Sequence, residues 1–356
     1  MSIIKDFIEL NDGYKIGVIT LNNPDSLNAQ TLEMVRETSA LLSLWQDDVH
    51  IVAVLFRGMG EKAFCAGGDI RGLYHHYNDQ EFPNPLALQF FVTEYGLCKQ
   101  IKAYPKPCIV WASGIVMGGG MGIATPCSHR IVTQTTMMAM PEVAIGLFPD
   151  AGGSYFLKHM PDRLGLFLGL TGARFNGADA LALGVADYAM DSADFDILIT
   201  ALSSLAWTDN RSDNETLLNN CLDKLSNPML LGDGWLLPNR AQVSALVVVD
   251  SLQDFDRLAR SGQYDDNEYI AKALASYRQG CPTSAGLAWQ IHHKVDGYSF
   301  NQVMDMELIV ALYCCHFGEF AEGVRALLID KDKNPKWHYT IDTLPQSHLD
   351  VHFVPW

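Results

Sequence analysis

The chain has 356 residues, and 41 acidic against 25 basic side chains give it a formal net charge of −16. Hydrophobic residues make up 48% and charged residues 19%, so there is enough apolar material for a large core in one or two domains. The acidic surplus argues against nucleic acid, whose binding needs Lys and Arg to neutralise phosphates, and against an anionic membrane surface.

Strand patterns alternate with helical patterns through the first half of the chain. Apolar residues at helical spacing predict helices over 28–45 and about 85–101. Continuous apolar runs are typical of strands buried on both faces. Strands are predicted at 15–21, 51–56, 108–112 and 130–133. This rhythm predicts an α/β fold with parallel strand pairing.

Helical patterns dominate after about residue 190. They cover 192–206, 214–225, 250–260, 267–279, 283–294 and 300–316, and a last helix is predicted from Phe320 to Ile329. We therefore divide the chain into an α/β core over residues 1–190 and a helical C-terminal region over residues 191–356.

Cysteine usage and the N-terminus bear on where the protein works. The eight cysteines include no CxxC pair, which predicts neither a metal site nor a disulfide framework and indicates a reducing compartment. The N-terminus lacks a basic segment followed by an apolar run. The longest apolar stretch, from Cys108 to Ala124, holds five glycines and is shorter than a spanning helix requires. We expect a cytoplasmic protein that does not partner a membrane.

Two glycine clusters follow predicted strands, one at Phe64–Ile70 and one at Gly114–Gly122. Glycine lets the backbone approach a ligand closely, so that N–H groups can point at one bound oxygen, and a helix starting near Gly119 adds a favourable field. Two such donors on one carbonyl form an oxyanion hole. The alternative is that the glycines only permit tight turns and close packing. Neither cluster reads GxGxxG, which argues against a dinucleotide fold.

Together, these clusters resemble the enoyl-CoA hydratase/isomerase (crotonase) superfamily over about residues 10–190. The resemblance implies a crotonase-type ββα spiral core and an acyl-CoA substrate whose thioester carbonyl accepts hydrogen bonds from the Gly68 and Gly119 N–H groups. It implies no metal or redox cofactor, because CoA is part of the substrate. Superfamily members often assemble as trimers. Because the C-terminal half of this chain differs, the trimer is not carried over, and a homo-oligomer is left as one possible assembly. The first cluster supplies further candidate substrate contacts, at Ala66, Asp69, Ile70 and Arg71.

The sequence departs from the hydratases at Gly122. Hydratases carry one Glu at this position and a second in a later Pro-Glu, of which only the second, Glu142, is present here. Asp150 follows where a hydratase typically has Gly. This AMPEVAIGLFPDAGG pattern, and the ending from Phe320 to Trp337, resemble the 3-hydroxyisobutyryl-CoA hydrolase branch. That branch implies hydrolysis of a short 3-hydroxyacyl-CoA thioester in valine breakdown.

The resemblance assigns roles to three acids. Glu142 is the catalytic nucleophile or general base. Asp150 is the second catalytic acid, which can bind the 3-hydroxyl of the substrate and help orient the acyl group or water. Glu94 matches a further acidic substrate contact. Each has another interpretation. Asp150 is well placed to cap the helix through His159, Glu142 can be a surface charge at a strand end, and Glu94 can be a solvated or paired charge on a helix.

The phosphates of CoA require a local basic patch, since the net charge is adverse, whereas neutral backbone N–H groups can hold the carbonyl. The candidate phosphate ligands are Arg71 and, unless they only form a solvated basic face, Lys331, Lys333 and Lys336.

Two alternative functions stay open. One is an enoyl-CoA hydratase or isomerase that uses Glu142 alone, and the other is a non-catalytic acyl-CoA-binding protein.

Overall fold

The computed structural model describes residues 2–75 and 81–356 and confirms the mixed α/β fold. The chain packs into two compact units, each assembled from segments that are distant in sequence. The first comprises Met1–Gly68, Gly96–Met138 and Phe175–Gly234, and the second comprises Asp69–Tyr95, Ala139–Arg174 and Trp235–Trp356.

The strands form two sheets. In chain order they are β1 (Ile3–Glu9), β2 (Lys15–Leu21), β3 (Ile51–Gly58), β4 (Ala63–Cys65), β5 (Cys108–Ala112), β6 (Ile115–Met117), β7 (His129–Val132), β8 (Met137–Ala139), β9 (Phe175–Asn176) and β10 (Tyr188–Ala189). One sheet has the order β1-β2-β3-β5-β7-β10, and the other has the order β4-β6-β8-β9. In the larger sheet β1 and β2 are antiparallel and all other neighbours are parallel, which confirms the predicted pairing.

Helices make up much of the remaining chain. They are α1 (Leu32–Gln46), α2 (Ile70–His75), α3 (Pro85–Lys102), α4 (Gly119–Ala124), α5 (Gly153–Lys158), α6 (Leu164–Thr171), α7 (Gly177–Ala182), α8 (Phe195–Ser203), α9 (Arg211–Leu225), α10 (Arg240–Val247), α11 (Leu252–Ala259), α12 (Glu268–Gln279), α13 (Pro282–Lys294), α14 (Phe300–His316), α15 (Glu319–Val324) and α16 (Gln346–Val351). No helix in the described ranges is both long and apolar enough to cross a membrane.

One hydrophobic cluster of the first unit packs against the larger sheet. Leu198 and Leu202 of α8 and Leu218 and Leu222 of α9 pack there against apolar strand residues such as Ile109. The second unit is built around α6, every residue of which is buried. Helices α5, α10, α12 and α13 all pack against α6. A helix that is covered on every side needs apolar residues on every side, which the sequence of α6 provides.

Most predicted elements are present, with ends shifted by a few residues. Several elements were not predicted, among them β1, the short strands β4, β6, β9 and β10, and the helices α2, α6, α7, α10 and α16. The last predicted helix is interrupted: α15 ends at Val324 and a π-helical turn covers Arg325–Ile329. β10 is the last strand within residues 81–356, in agreement with the loss of strand signals after residue 190. As a domain boundary, residue 190 stays a prediction.

The first unit provides a test of close helix packing. A Cβ on Gly120 of α4 would clash with the carbonyl oxygen of Cys65 and lie 2.9 Å from the Cys65 Cβ. We expect Gly120→Ala to lower the free energy of unfolding by about 2 kcal/mol or more, measured by urea denaturation. Gly96→Ala is the matched control, because a Cβ there meets nothing within 4 Å. It should be neutral or stabilising by up to about 1 kcal/mol. Equal stability of the two variants would contradict the packing argument.

Candidate active site

The glycines of the two clusters, Gly67 and Gly68 in the first and Gly114–Gly122 in the second, lie in the first unit. They follow β4 and β6, which pair in parallel. Gly67 has φ of +120° and Gly118 has φ of +50°, which glycine tolerates best. A Cβ on Gly67 would stand 3.9 Å from the backbone nitrogen of Gly119. Gly119 begins α4, so its N–H has no acceptor within the helix. The clusters are thus adjacent, and the use of the Gly68 and Gly119 N–H groups as an oxyanion hole stays a prediction.

Four buried carboxyl groups gather in the second unit. Glu94 lies on α3, Glu142 begins a 3₁₀ turn, and Asp150 lies just before α5. The fourth, Glu307 on α14, was not predicted from the sequence. All four side chains are at most 5% exposed. The interpretations of Glu142 as a surface charge and of Glu94 as a solvated charge are therefore wrong.

The four carboxyl groups differ in their hydrogen bonds. The Tyr95 hydroxyl donates to Asp150 Oδ2 at 2.6 Å. Glu142 Oε2 is buried and has no hydrogen-bond partner in the described part of the chain. Glu307 accepts from the backbone N–H groups of Gly152 and Ser154. Gly152 is the N-cap residue of α5, and no N-cap side chain accepts a hydrogen bond from the first turn of this helix. The interpretation of Asp150 as the N-cap of α5 is therefore wrong.

Burial and mutual repulsion keep protons on this cluster. Burial raises the pKa values of Glu94 and Glu142 well above the usual value of a Glu side chain. The negative charge of Asp150 raises both pKa values further. Burial raises the pKa of Asp150 to about 6, although the Tyr95 hydroxyl opposes the shift. The pKa of Glu307 rises to about 8, again mainly through burial. Ionised and protonated carboxyl groups therefore coexist near neutral pH, where either form can serve chemistry.

The other candidates of the first glycine cluster lie around the start of α2. Asp69 accepts a hydrogen bond from the Gly72 N–H at 3.2 Å, which caps this short helix. Ala66 and Ile70 are half-buried, and Arg71 is exposed. Asp69 thus has a structural role, and substrate contacts by this group stay predictions.

The C-terminal lysines lie in a loop held by Arg325. The Arg325 guanidinium donates hydrogen bonds to the carboxylates of Glu322, Asp330 and Asp332 at 2.6–2.8 Å. All three predicted phosphate ligands of this loop are exposed, namely Lys331, Lys333 and Lys336. Since acidic residues alternate with them, the loop is not uniformly basic, and phosphate binding there stays a prediction.

Sequence reasoning missed Tyr95 and Glu307. Tyr95 directly follows Glu94, yet nothing in the local pattern indicates that its hydroxyl reaches Asp150. Glu307 lies 155 residues beyond Gly152 on an apolar helix, where a lone Glu gives no signal of its partner. Within the described ranges, no group of three or more His, Cys, Asp or Glu side chains could hold a metal ion.

Comparison with known proteins gives consistent results. Residues 16–353 match the family model described as enoyl-CoA hydratase/isomerase. The mitochondrial 3-hydroxyisobutyryl-CoA hydrolase of Danio rerio is 37% identical over 91% of this chain and 82% of its own. The protein of that name from Homo sapiens is 32% identical over 95% of this chain and 86% of its own.

The solved structures agree with the fold. An enoyl-CoA hydratase from Rhodobacter sphaeroides is 30% identical with a TM-score of 0.86, and the match covers 100% of this chain and 98% of that one. A carnitinyl-CoA dehydratase from Mycobacterium thermoresistibile gives 30% identity and a TM-score of 0.85, over 100% and 97% of the two chains. These matches confirm the predicted fold class along the full chain.

The Tyr95–Asp150 hydrogen bond can be tested by its pH dependence. Tyr95→Phe removes the donor that favours ionised Asp150, so the loss of stability should grow as the pH rises through about 6, where Asp150 ionises. We expect a loss of about 1–3 kcal/mol at pH 8 and a smaller one at pH 5, measured by urea denaturation. Tyr104→Phe is the control, because the Tyr104 hydroxyl donates to the Leu42 carbonyl, which does not titrate. Equal losses of Tyr95→Phe at both pH values would contradict this account.

Proposed function

Because this chain belongs to the enoyl-CoA hydratase/isomerase (crotonase) family, we propose that it hydrolyses the thioester of a short 3-hydroxyacyl-CoA. The preferred substrate under this proposal is 3-hydroxyisobutyryl-CoA, which gives 3-hydroxyisobutyrate and CoA, a step of valine breakdown. Relatives named for this hydrolysis, at 32–37% identity over at least 90% of the chain, support the assignment.

One observation favours hydrolysis over hydration. Hydratases use two Glu side chains for water addition, and this chain has Gly122 in place of one of them. What remains is Glu142, buried and with an unpartnered Oε2, beside a second acid, Asp150. A carboxylate without a donor is a stronger nucleophile or base than one held by hydrogen bonds, which suits attack on a carbonyl.

The proposed chemistry starts at Glu142. In one route its carboxylate attacks the thioester carbon, CoA leaves as the thiolate, and water hydrolyses the resulting anhydride. In the other route Glu142 takes a proton from water, which attacks the same carbon directly. Both routes form an oxyanion, and the N–H groups of Gly68 and Gly119 are the donors proposed for it. A protonated neighbour in the carboxyl cluster can supply the proton to the leaving thiolate.

Asp150 and Glu94 account for the 3-hydroxyl in this proposal. A buried carboxylate that needs a hydroxyl donor discriminates against acyl groups without one, because the carboxylate would then be left unpaired. Tyr95 occupies one oxygen of Asp150 and leaves the other for the substrate. Glu94 is the second proposed contact to the acyl group.

We also propose how the chain binds the phosphates of CoA and how it assembles. The reaction as written needs no metal or redox cofactor. Arg71 and the lysine loop are the proposed phosphate ligands, and a homo-oligomer is the proposed assembly. A cytoplasmic location stays a prediction. The relatives named above are mitochondrial proteins by name.

The test is a thiol-release assay with short acyl-CoA thioesters, with and without a 3-hydroxyl. Wild type should release CoA fastest from 3-hydroxyisobutyryl-CoA. Glu142→Gln keeps the shape of the side chain but removes its charge, and should lower kcat by at least about 10²-fold with little change in KM.

Glu319→Gln is the matched control, because Glu319 is a buried Glu whose carboxylate accepts hydrogen bonds from His338 and Cys281. Its thiol release should stay near the wild-type rate. Hydration or isomerisation of a short enoyl-CoA without thiol release would favour a hydratase or isomerase. Tight binding of CoA esters with no reaction would favour a binding protein.

A further inference from the structure

The turn that carries Asp150 has an unusual backbone. Ala151 has φ of +51° and Gly152 has φ of +85°, so two successive residues lie in the left-handed region. A residue with a Cβ is unfavourable there, so Ala151 keeps this conformation only when its surroundings hold it. The same turn begins α5, whose first N–H groups have no acceptor within that helix.

Glu307 supplies the missing acceptors from α14. Its Oε2 accepts from the Gly152 N–H at 2.7 Å, and its Oε1 accepts from the Ser154 N–H at 3.0 Å. The two carboxyl oxygens of Glu307 therefore accept hydrogen bonds from two N–H groups of the same turn. Glu307 itself is fully buried, with 0% of its surface exposed. With one backbone N–H donor on each oxygen, this buried side chain is a directional clamp on the turn.

Packing against α14 and a hydrogen bond within the turn add to this clamp. A Cβ on Gly152 would lie 2.9 Å from the ring of Phe300 and 3.6 Å from the Met304 sulfur, so α14 lies directly over the turn. On the other side, the Ser154 hydroxyl donates to the Pro149 carbonyl at 3.0 Å. The position of the backbone at Asp150 is thus set by α14.

We propose that Glu307 is a positioning residue, which holds the turn so that the Asp150 carboxylate meets the 3-hydroxyl of the substrate. This inference rests on the proposed function. Glu307 touches neither the acyl group nor the reacting carbonyl in this scheme. It acts through Asp150, and its loss should therefore affect recognition of the 3-hydroxyl more than hydrolysis as such.

The chemistry of the clamp predicts graded effects of substitution. A carboxylate offers an acceptor to each of the two N–H groups. Glu307→Gln retains one acceptor oxygen and places an amide N–H₂ against the other donor, and Glu307→Ala retains none. Displacement of a substrate-contacting group by about 1 Å costs up to about 10²-fold in rate.

The experiment measures kcat and KM for 3-hydroxyisobutyryl-CoA and for isobutyryl-CoA, which lacks the 3-hydroxyl. The readout is the ratio of the two kcat/KM values. We expect Glu307→Gln to lower this ratio about tenfold. Glu307→Ala should lower it to the value of Asp150→Asn, while hydrolysis of isobutyryl-CoA changes little. In the double variant with Asp150→Asn, Glu307→Ala should have no further effect on the ratio.

Glu319→Gln again provides the control, as a buried Glu on the neighbouring helix that does not contact the turn. It should keep the wild-type ratio even if its melting temperature falls. The positioning role is overturned if the Glu307 variants keep the wild-type ratio, or if kcat/KM falls equally for both substrates. It is also overturned if both Glu307 variants fail to fold while Glu319→Gln folds, because Glu307 would then be a folding requirement.

Failure of the proposed function is recognised separately, in the wild type. A wild-type enzyme that releases no thiol, or that does not distinguish the two thioesters, would overturn the proposed function before any variant is compared. The positioning role would fall with it, because there would be no 3-hydroxyl contact to position.

Discussion

The burial of four carboxyl groups in one packed unit is the constraint on which the candidate site depends. Transfer of one ionised carboxyl group from water into a protein interior costs several kcal/mol unless donors compensate. The described hydrogen bonds to Glu94, Glu142, Asp150 and Glu307 come from a tyrosine hydroxyl and backbone N–H groups, and none comes from Lys or Arg. The cluster therefore keeps protons near neutral pH, which makes one set of side chains both acid and base.

Helices late in the chain enclose the turn that begins with Glu142. The Cys281 N–H, at the start of α13, donates to the Val143 carbonyl at 2.9 Å. On the other side, Gly323 lets α15 pack against the backbone of Ile145, since a Cβ there would clash with it. Gly146 takes φ of +73° and likewise approaches the backbone of Glu319. The burial of Glu142, the main cause of its raised pKa, thus depends in part on helices of the C-terminal region.

Local patterns predicted what depends on local sequence, and failed where a distant segment decides. The longer buried strands β2, β3, β5 and β7 and most of the longer helices followed from apolar runs and spacing, and Glu142 and Asp150 followed from the motif that contains them. β1 was missed because only two of its seven residues are buried, so the alternation is weak. The capping role considered for Asp150 is wrong because Glu307 supplies the acceptors for α5. No pattern near either residue reveals that contact, since burial and fold bring them together.

The link between Gly152 and Glu307 has a consequence for synthesis of the protein. Their contact spans 155 residues, and a ribosome adds roughly 5 to 20 residues per second. The turn that carries Asp150 therefore emerges roughly 8 to 30 seconds before the helix that clamps it. During that interval the nascent chain exposes an apolar, acidic segment that lacks its final partners. The candidate site is thus completed only after α14 has been synthesised, and a chain that terminates before Glu307 would retain the motifs around Glu142 and Asp150 without the contact that holds their turn.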